Sequence, residues 1–228
     1  IVNADSMQVY DNLEILTARP SKKDLLKINH KLYGYVDGSE RYNVSKWCND
    51  VLNLYNKDVN KNPLIFVGGT GMYIDTLLNG LIDIPSIPES YKKKSEELLE
   101  SIGKENFINL IKSFDKKSLL DISSNDNIRI RRIWEIFNFT GVAFSDWKNK
   151  KNYKFLKNIN YKMYLFTPPR EKTYQYVNIR FEKMINDGAI EEVKKLLKLN
   201  FDCSLPIMRA HGVPEISSFL NNKITKEE

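Results

Sequence analysis

The chain has 228 residues, a hydrophobic content of 42% and a formal net charge of +6, which suits one large domain or a domain with an insertion. No apolar run approaches the length of a membrane span, so we expect neither a membrane partner nor a signal peptide. Cys48 and Cys203 stand in no metal or redox spacing, which indicates two reduced thiols in a cytoplasm. The basic balance permits a polyanionic partner without identifying one.

The first residues look like the end of a strand already under way, because Ile1 and Val2 are apolar and no Met opens the chain. We therefore expect residues upstream of Ile1. Asp5 follows this strand directly, beside Ser6 and Gln8, at a place where general bases often lie in α/β enzymes. The alternative is that Asp5 or Ser6 caps a turn or helix, and this segment alone favours the cap.

Strands and helices then alternate, a rhythm that predicts a parallel sheet. Residues 32–36 have strand character, and Asn43 is a candidate N-cap for the helix that follows. That helix has an amphipathic stripe at the spacing i, i+3, i+4, i+7 and i+11. The stripe consists of Val44, Trp47, Cys48, Val51 and Tyr55.

A glycine-rich stretch is the strongest local signal. Residues 64–67 form a short apolar run, and Gly68, Gly69 and Gly71 follow before a helical pattern begins. A strand that passes through glycines into a helix is typical of binding sites in open α/β sheets, and the hydroxyl of Thr70 lies among them. The stretch lacks the Lys-Ser or Lys-Thr pair of a Walker A loop. A glycine-rich turn with no ligand is the alternative.

After Gly80 the chain becomes predominantly helical. A helix is expected to begin at residues 124–126 and to end near Gly141, with Ile130, Ile133, Trp134 and Phe137 on its core face. Its arginines, Arg129, Arg131 and Arg132, lie off that face. They form either a solvated basic surface or a reader of phosphate backbones.

The last third returns to strand character at 161–167 and ends that strand at Pro168-Pro169. The helix that follows is expected to bury one face and to stop at Gly188. That face consists of Tyr174, Val177, Phe181 and Met184. A second helix and a loop-to-helix junction at 206–214 complete the pattern.

Taken in order, these segments resemble the tRNA dimethylallyltransferase family, also called the tRNA isopentenyltransferase or IPP transferase family, from residue 1 to about 225. The matching motifs are Ala4-Asp5-Ser6-Met7-Gln8-Val9-Tyr10, Thr17-Ala18-Arg19-Pro20, Val67-Gly68-Gly69-Thr70-Gly71-Met72-Tyr73, Asn125-Asp126 with Arg129 and Arg132, Arg170-Glu171, and Arg209-Ala210-His211-Gly212-Val213. Each motif is weak alone, and the ordered set is specific.

The resemblance implies an α/β fold, a P-loop NTPase-like parallel sheet core with a mostly helical insertion domain. The core would comprise 1–88 and 162–228, and the insertion, 89–161, would grip the anticodon stem-loop of tRNA. The implied reaction moves a dimethylallyl group from dimethylallyl diphosphate to N6 of the adenine 3′-adjacent to the anticodon. The implied enzyme is a cytoplasmic monomer that uses Mg²⁺.

The family pattern also implies roles for particular residues. Asp5 takes the general-base position, Thr70 hydrogen-bonds the oxygen that leaves C1 of the prenyl group, and Arg180 binds the diphosphate. The residues implied to contact tRNA are Asp5, Ser6, Met7, Gln8, Thr70, Lys92, Ile128, Arg129, Ile130, Arg131, Arg132, Arg209, Ala210, His211, Gly212, Val213 and Pro214.

The sequence departs from the family pattern in several places. The family's phosphate loop would precede Ile1, so we expect the Mg²⁺ ligand there, no metal ligand within these residues, and no activity from this chain alone. Asp75 and Tyr176 stand where lysine and arginine are common, and Lys31 replaces a histidine. The alternatives are a P-loop nucleoside or nucleotide kinase and a non-catalytic RNA-binding module.

Overall fold

The computed structural model of the protein describes residues 1–57, 62–150, 152–156 and 159–225. The chain divides into two compact units, one formed by Ile1–Leu78 with Phe155–Glu228 (unit 1) and the other by Asn79–Lys154 (unit 2). In the described ranges, no helix is long and apolar enough to cross a membrane.

Helices and a small parallel sheet make up the described structure. In chain order the elements are β1 (Val2–Asn3), α1 (Lys22–Lys27), α2 (Val44–Lys57), β2 (Phe66–Val67), α3 (Gly71–Asn79), α4 (Glu89–Ile102), α5 (Lys104–Asp115), α6 (Asn127–Thr140), α7 (Phe144–Lys148), α8 (Arg170–Asn186), α9 (Ala189–Lys198) and α10 (Val213–Leu220), with short 3-10 helices at Lys117–Leu119 and Pro206–Arg209.

The sheet of unit 1 is short and parallel. Val2 pairs with Phe66 and Asn3 with Val67, and an isolated parallel bridge joins Val2 to Lys31 on the other side. The predicted strand at 32–36 is therefore reduced to single bridges at its borders, at Lys31 and at Val36. Three chain segments still run side by side here, which brings their carboxyl ends to one edge of the sheet.

The predicted strand at 161–167 is wrong, because these residues form no ladder with any described strand. Leu165 and Phe166 are 83% and 89% exposed. An apolar run becomes a strand only where a neighbouring strand satisfies its backbone groups, and the local pattern cannot supply that neighbour. The predicted core face of α8 is wrong for a similar reason, since α8 has no buried residue.

The core of unit 1 gathers around α2. Trp47 is fully buried, stacks on Tyr73 at 4.6 Å between ring centroids, and donates its Nε1 hydrogen to the carbonyl oxygen of Asn3 at 2.8 Å.

Both cysteines are free. Burial raises the pKa of the Cys48 thiol to about 12, whereas Cys203 is exposed.

Unit 2 is built from α4, α5 and α6 around buried apolar side chains. Its centre consists of Phe107, Ile111, Ile130 and Ile133. The predicted limits of α6 are confirmed, because Asp126 caps its first turn by accepting from the amide of Arg129 at 3.0 Å, and Gly141 ends it at φ 70°. A left-handed glycine is a common way to end a helix. An antiparallel bridge between Leu81 and Tyr153 closes the unit.

Asp115 ties the end of α5 to the start of α7 inside unit 2. Its side chain is buried; Oδ1 accepts from the amide of Ser118 at 3.1 Å, and Oδ2 accepts from the Ser118 hydroxyl at 2.5 Å and the Ser145 amide at 3.0 Å. Burial alone would raise the pKa of Asp115, but these hydrogen bonds outweigh it and lower the pKa.

We expect Asp115→Ala to lower the free energy of unfolding by about 1–3 kcal/mol, because it leaves buried donors without an acceptor. The folded-state pKa lies below the unfolded value, so this contribution is present above the unfolded pKa and is lost as pH falls through the folded one. Urea unfolding at several pH values measures both effects. Asp121→Ala is the matched control, because Asp121 is 81% exposed in its ion pair with Lys148; a loss as large in this control would contradict the interpretation.

Candidate active site

The carboxyl ends of β1 and β2 bring Asp5, Ser6 and Thr70 together. The amide of Thr70 donates to the carbonyl of Ala4 at 3.2 Å, and the amide of Ser6 donates to Thr70 Oγ1 at 2.9 Å. The Thr70 hydroxyl in turn donates to Ser6 Oγ at 3.3 Å. The two turns that follow the strands are thus joined at the polar edge of the sheet.

Gly68 allows this close approach. A Cβ at this position would lie 2.2 Å from the carbonyl carbon of Ala4, closer than any real side-chain atom approaches a backbone. A backbone atom cannot move away as a flexible side chain would. The glycine is therefore required by the contact between the two turns, whether or not a ligand binds.

The carboxylate of Asp5 is held by its own turn. Oδ1 accepts from the amides of Met7 at 2.8 Å and Gln8 at 3.2 Å, so the alternative interpretation of Asp5 as a turn cap describes this oxygen. The turn does not occupy Oδ2. The negative charge of Asp5 also adds to the effect of burial in raising the pKa of Tyr33, which marks Tyr33 as a neighbour of the carboxylate.

Gln8 anchors the segment that follows. Its Nε2 donates to the carbonyls of Thr17 at 2.9 Å and Ala18 at 3.1 Å. The amides of Glu14, Ile15 and Leu16, at 2.7–2.9 Å, donate to the carboxylate of Glu192 on α9. No local sequence pattern predicts this role for Glu192, because only the folded chain brings a glutamate 176 residues after Leu16 to these amides.

The junction at 206–214 places some predicted tRNA-contacting side chains in the core and others outside. Ala210 and Val213 are buried, whereas Arg209, His211 and Pro214 are exposed. Gly212, at φ 91°, is the N-cap residue of α10, and its amide donates to the Glu215 carboxylate at 3.0 Å. Only the exposed members can offer side chains to a ligand.

Arg180 lies on α8 and is exposed. Within the described ranges, no hydrogen bond or ion pair connects it to Asp5, Ser6 or Thr70. The structure therefore brings together Asp5, the predicted general base, and Thr70, the predicted hydroxyl donor. It does not connect them to Arg180, the residue predicted to bind the diphosphate.

The basic face of unit 2 is formed by ion-paired arginines on α6. Arg129 pairs with Asp126 at 3.2 Å, Arg131 with Glu96 at 2.7 Å and Arg132 with Glu135 at 3.4 Å. Two apolar residues of α6 are also predicted to contact tRNA. Ile130 is buried, at 1% exposed, whereas Ile128 is 62% exposed. Lys92 on α4 pairs with Glu89 at 2.6 Å.

The arginines of this face differ in how accessible they are. The Arg129 side chain is 73% exposed and that of Arg131 only 21%. The buried carboxylate of Glu135 also accepts from the Ser95 hydroxyl at 2.9 Å, which fixes the partner of Arg132 between α4 and α6. The side chains of Arg129 and Arg132, at 73% and 41%, are therefore more exposed than that of Arg131.

A carboxylate and hydroxyls lie here at the carboxyl ends of parallel strands, next to a glycine-rich turn into a helix, an arrangement typical of binding sites in α/β folds. The model of the IPP transferase family matches residues 8–228, and the chain belongs to this family.

Relatives and solved structures agree with the family model. The chain is similar to the tRNA dimethylallyltransferases of Wolbachia pipientis wMel, at 40% identity, and of Bartonella henselae, at 41%, over its whole length and over 75% and 78% of theirs. A crystal structure of tRNA delta(2)-isopentenylpyrophosphate transferase from Staphylococcus epidermidis matches 99% of this chain and 73% of its own length, with a TM-score of 0.58 and 26% identity. A eukaryotic dimethylallyltransferase acting on tRNA matches 97% of the chain and 57% of its own, with a TM-score of 0.76 and 26% identity.

Proposed function

We propose that the protein is a tRNA prenyltransferase that moves a dimethylallyl group from dimethylallyl diphosphate to N6 of the adenine 3′-adjacent to the anticodon. The observation that carries this proposal is the cluster of Asp5, Ser6 and Thr70 at adjacent strand ends, in a chain whose relatives over its full length have the name tRNA dimethylallyltransferase.

Asp5 is the proposed general base. The exocyclic amine of adenine is a weak nucleophile, so a carboxylate that accepts its proton assists the attack. The N6–C1 bond forms as the C1–O bond breaks, the electron pair of that bond leaves with the diphosphate, and the N6 proton passes to Asp5. The turn leaves Oδ2 for this proton, because its amides hold Oδ1.

Thr70 is the proposed donor to the leaving oxygen. Its hydroxyl proton is shared with Ser6 Oγ over 3.3 Å, which is long for an O–H···O bond. Turning the proton toward a diphosphate oxygen that gains charge therefore gives up a weak bond for a charge-assisted one. Arg180 is proposed to bind the same diphosphate when the substrate is present.

Mg²⁺ is proposed as a companion of the diphosphate. No three histidine, cysteine, aspartate or glutamate side chains converge on a metal position within the described ranges, and Asp5 already commits one oxygen to its own turn. These residues do not fit a dedicated cage. Mg²⁺ usually keeps several waters and binds through one or two carboxylates and substrate phosphates, where it would neutralise charge on the diphosphate.

The arginines of α6 are proposed to bind the tRNA that carries the target adenine. An adenine within a nucleic acid stack must be flipped out to reach a prenyl donor, and the exposed arginines of α6 offer charge for the anticodon stem-loop. A P-loop NTPase-like core with a helical insertion, a monomeric state and a cytoplasmic location complete the proposal.

Transfer from labelled dimethylallyl diphosphate to an anticodon stem-loop tests this function in the native full-length protein. We expect label in the RNA, and none when guanine replaces the adenine next to the anticodon. A nucleoside or nucleotide kinase would turn over ATP without labelling the RNA, and a non-catalytic RNA-binding module would bind the stem-loop without transfer. Either result would overturn the proposal.

A further inference from the structure

Asn3 lies beneath the proposed base and is completely buried. Its side chain bonds both backbone groups of Asp5: Oδ1 accepts from the Asp5 amide at 2.8 Å, and Nδ2 donates to the Asp5 carbonyl at 2.9 Å. The Nδ2 end of the Asn3 side chain faces the carbonyls of Asp5 and Leu32, and the Oδ1 end faces an N–H. Only one orientation of the side-chain amide satisfies these three bonds.

The second Nδ2 hydrogen of Asn3 holds a neighbouring segment. It donates to the carbonyl of Leu32 at 2.9 Å, and Leu32 has a φ of 62°, a left-handed conformation that is unfavourable for a branched apolar residue. Such backbone persists where surrounding bonds hold it. Tyr33, whose pKa reflects burial and the charge of Asp5, comes next in the chain, so Asn3 fixes two segments that border the carboxylate.

The backbone of Asn3 is equally constrained. Its amide donates to the carbonyl of Lys31 at 3.0 Å, and its carbonyl accepts from Trp47 Nε1 at 2.8 Å. Every hydrogen-bonding group of Asn3 therefore has a partner, and both side-chain donors are used. A serine has one such hydrogen and an aspartate has none, so the amide suits this arrangement as neither alternative does.

We propose that Asn3 is a positioning residue for the transfer reaction: it sets the backbone of Asp5, and so the direction of the carboxylate, relative to the 31–33 segment. This inference rests on the proposed role of Asp5 as general base. It predicts that Asn3 acts on the rate of transfer through Asp5 and contributes nothing to tRNA affinity.

A double-mutant cycle in the native full-length protein tests the inference. Asn3→Asp keeps an oxygen that accepts from the Asp5 amide. Its second oxygen replaces Nδ2 and so places lone pairs against the carbonyls of Asp5 and Leu32. With saturating dimethylallyl diphosphate, we expect the single-turnover rate to fall about tenfold, since small misplacements of a reacting group are costly. The tRNA concentration for half-saturation should stay unchanged. In an Asp5→Asn background, Asn3→Asp should have almost no further effect on the rate.

Asn12→Ala is the matched control. Asn12 also holds a distant backbone group, since its Oδ1 accepts from the amide of Gly38 at 2.7 Å, and no hydrogen bond in the described part of the chain joins it to Asp5. We expect a wild-type transfer rate from it, with thermal unfolding measured for all variants. If Asn3→Asp does not fold, Asn3→Ser, which is neutral and retains one donor, replaces it in the same cycle.

The possible results of this experiment test the role of Asn3 and the role of Asp5 separately. An equal loss in the wild-type and Asp5→Asn backgrounds, or no loss at all from the folded Asn3 variant, would overturn the inference while leaving the role of Asp5 intact. A wild-type rate from Asp5→Asn alone would instead overturn that part of the proposed function.

Discussion

Asp5→Asn is expected to slow single-turnover prenyl transfer by roughly 100-fold or more, with tRNA affinity nearly unchanged. Asparagine has the same shape and can keep the amides of Met7 and Gln8 on Oδ1, so the turn should survive. It cannot accept the proton from N6. The loss should therefore appear in the rate constant at saturating substrate and not in the half-saturating tRNA concentration.

Asp11→Asn provides the matched control, because it changes an exposed carboxylate on the turn after Asp5. We expect wild-type transfer from this variant. Rapid-quench measurements with labelled dimethylallyl diphosphate would compare both proteins directly, and transfer at the wild-type rate by Asp5→Asn would remove Asp5 from the proposed base role.

Arg132→Ala is expected to weaken tRNA binding and to reduce the slope of log affinity against log salt by about one unit or less. A phosphate contact releases counterions when it forms, so losing one flattens the salt dependence. The slope is measured by titrating tRNA at several salt concentrations. An unchanged slope together with unchanged affinity would assign this face to ordinary solvated surface.

The ion pair of Arg132 requires a companion variant. Arg132→Ala leaves the carboxylate of Glu135 buried without its cation, which can disturb α6 by itself. Arg132→Ala combined with Glu135→Gln removes that charge, and glutamine keeps an acceptor for Ser95. If phosphate contact is the cause, both proteins bind equally weakly. Recovery of affinity in the double variant would show that the unpaired carboxylate, and not a lost phosphate contact, caused the defect.

Local signals predicted the best-defined parts of the fold. The cap at Asp126 and the glycine at 141 set the limits of α6 because capping depends on neighbours within a few residues. The parallel sheet predicted from the alternation of strands and helices is present between β1 and β2, and it places the turns at Asp5 and Thr70 at one edge.

The parts that failed depend on partners distant in the sequence. The apolar pattern at 161–167 and the stripe of α8 have the correct period, yet neither is buried, because periodicity identifies a face and not what covers it. Asn3 and Glu192 escaped notice for the same reason. Their bonds to Leu32 and to the amides at 14–16 join segments that only the folded chain brings together.

The base and the atom that carry the dimethylallyl group after the reaction decide whether the protein has the proposed activity. After reaction of the native full-length protein with tRNA and dimethylallyl diphosphate, the RNA is digested and its nucleosides are identified by mass spectrometry. We expect dimethylallyl on N6 of the adenine 3′-adjacent to the anticodon, with one diphosphate released for each modified tRNA. Unmodified adenine at that position, or a prenyl group on a different base, would refute the proposed activity.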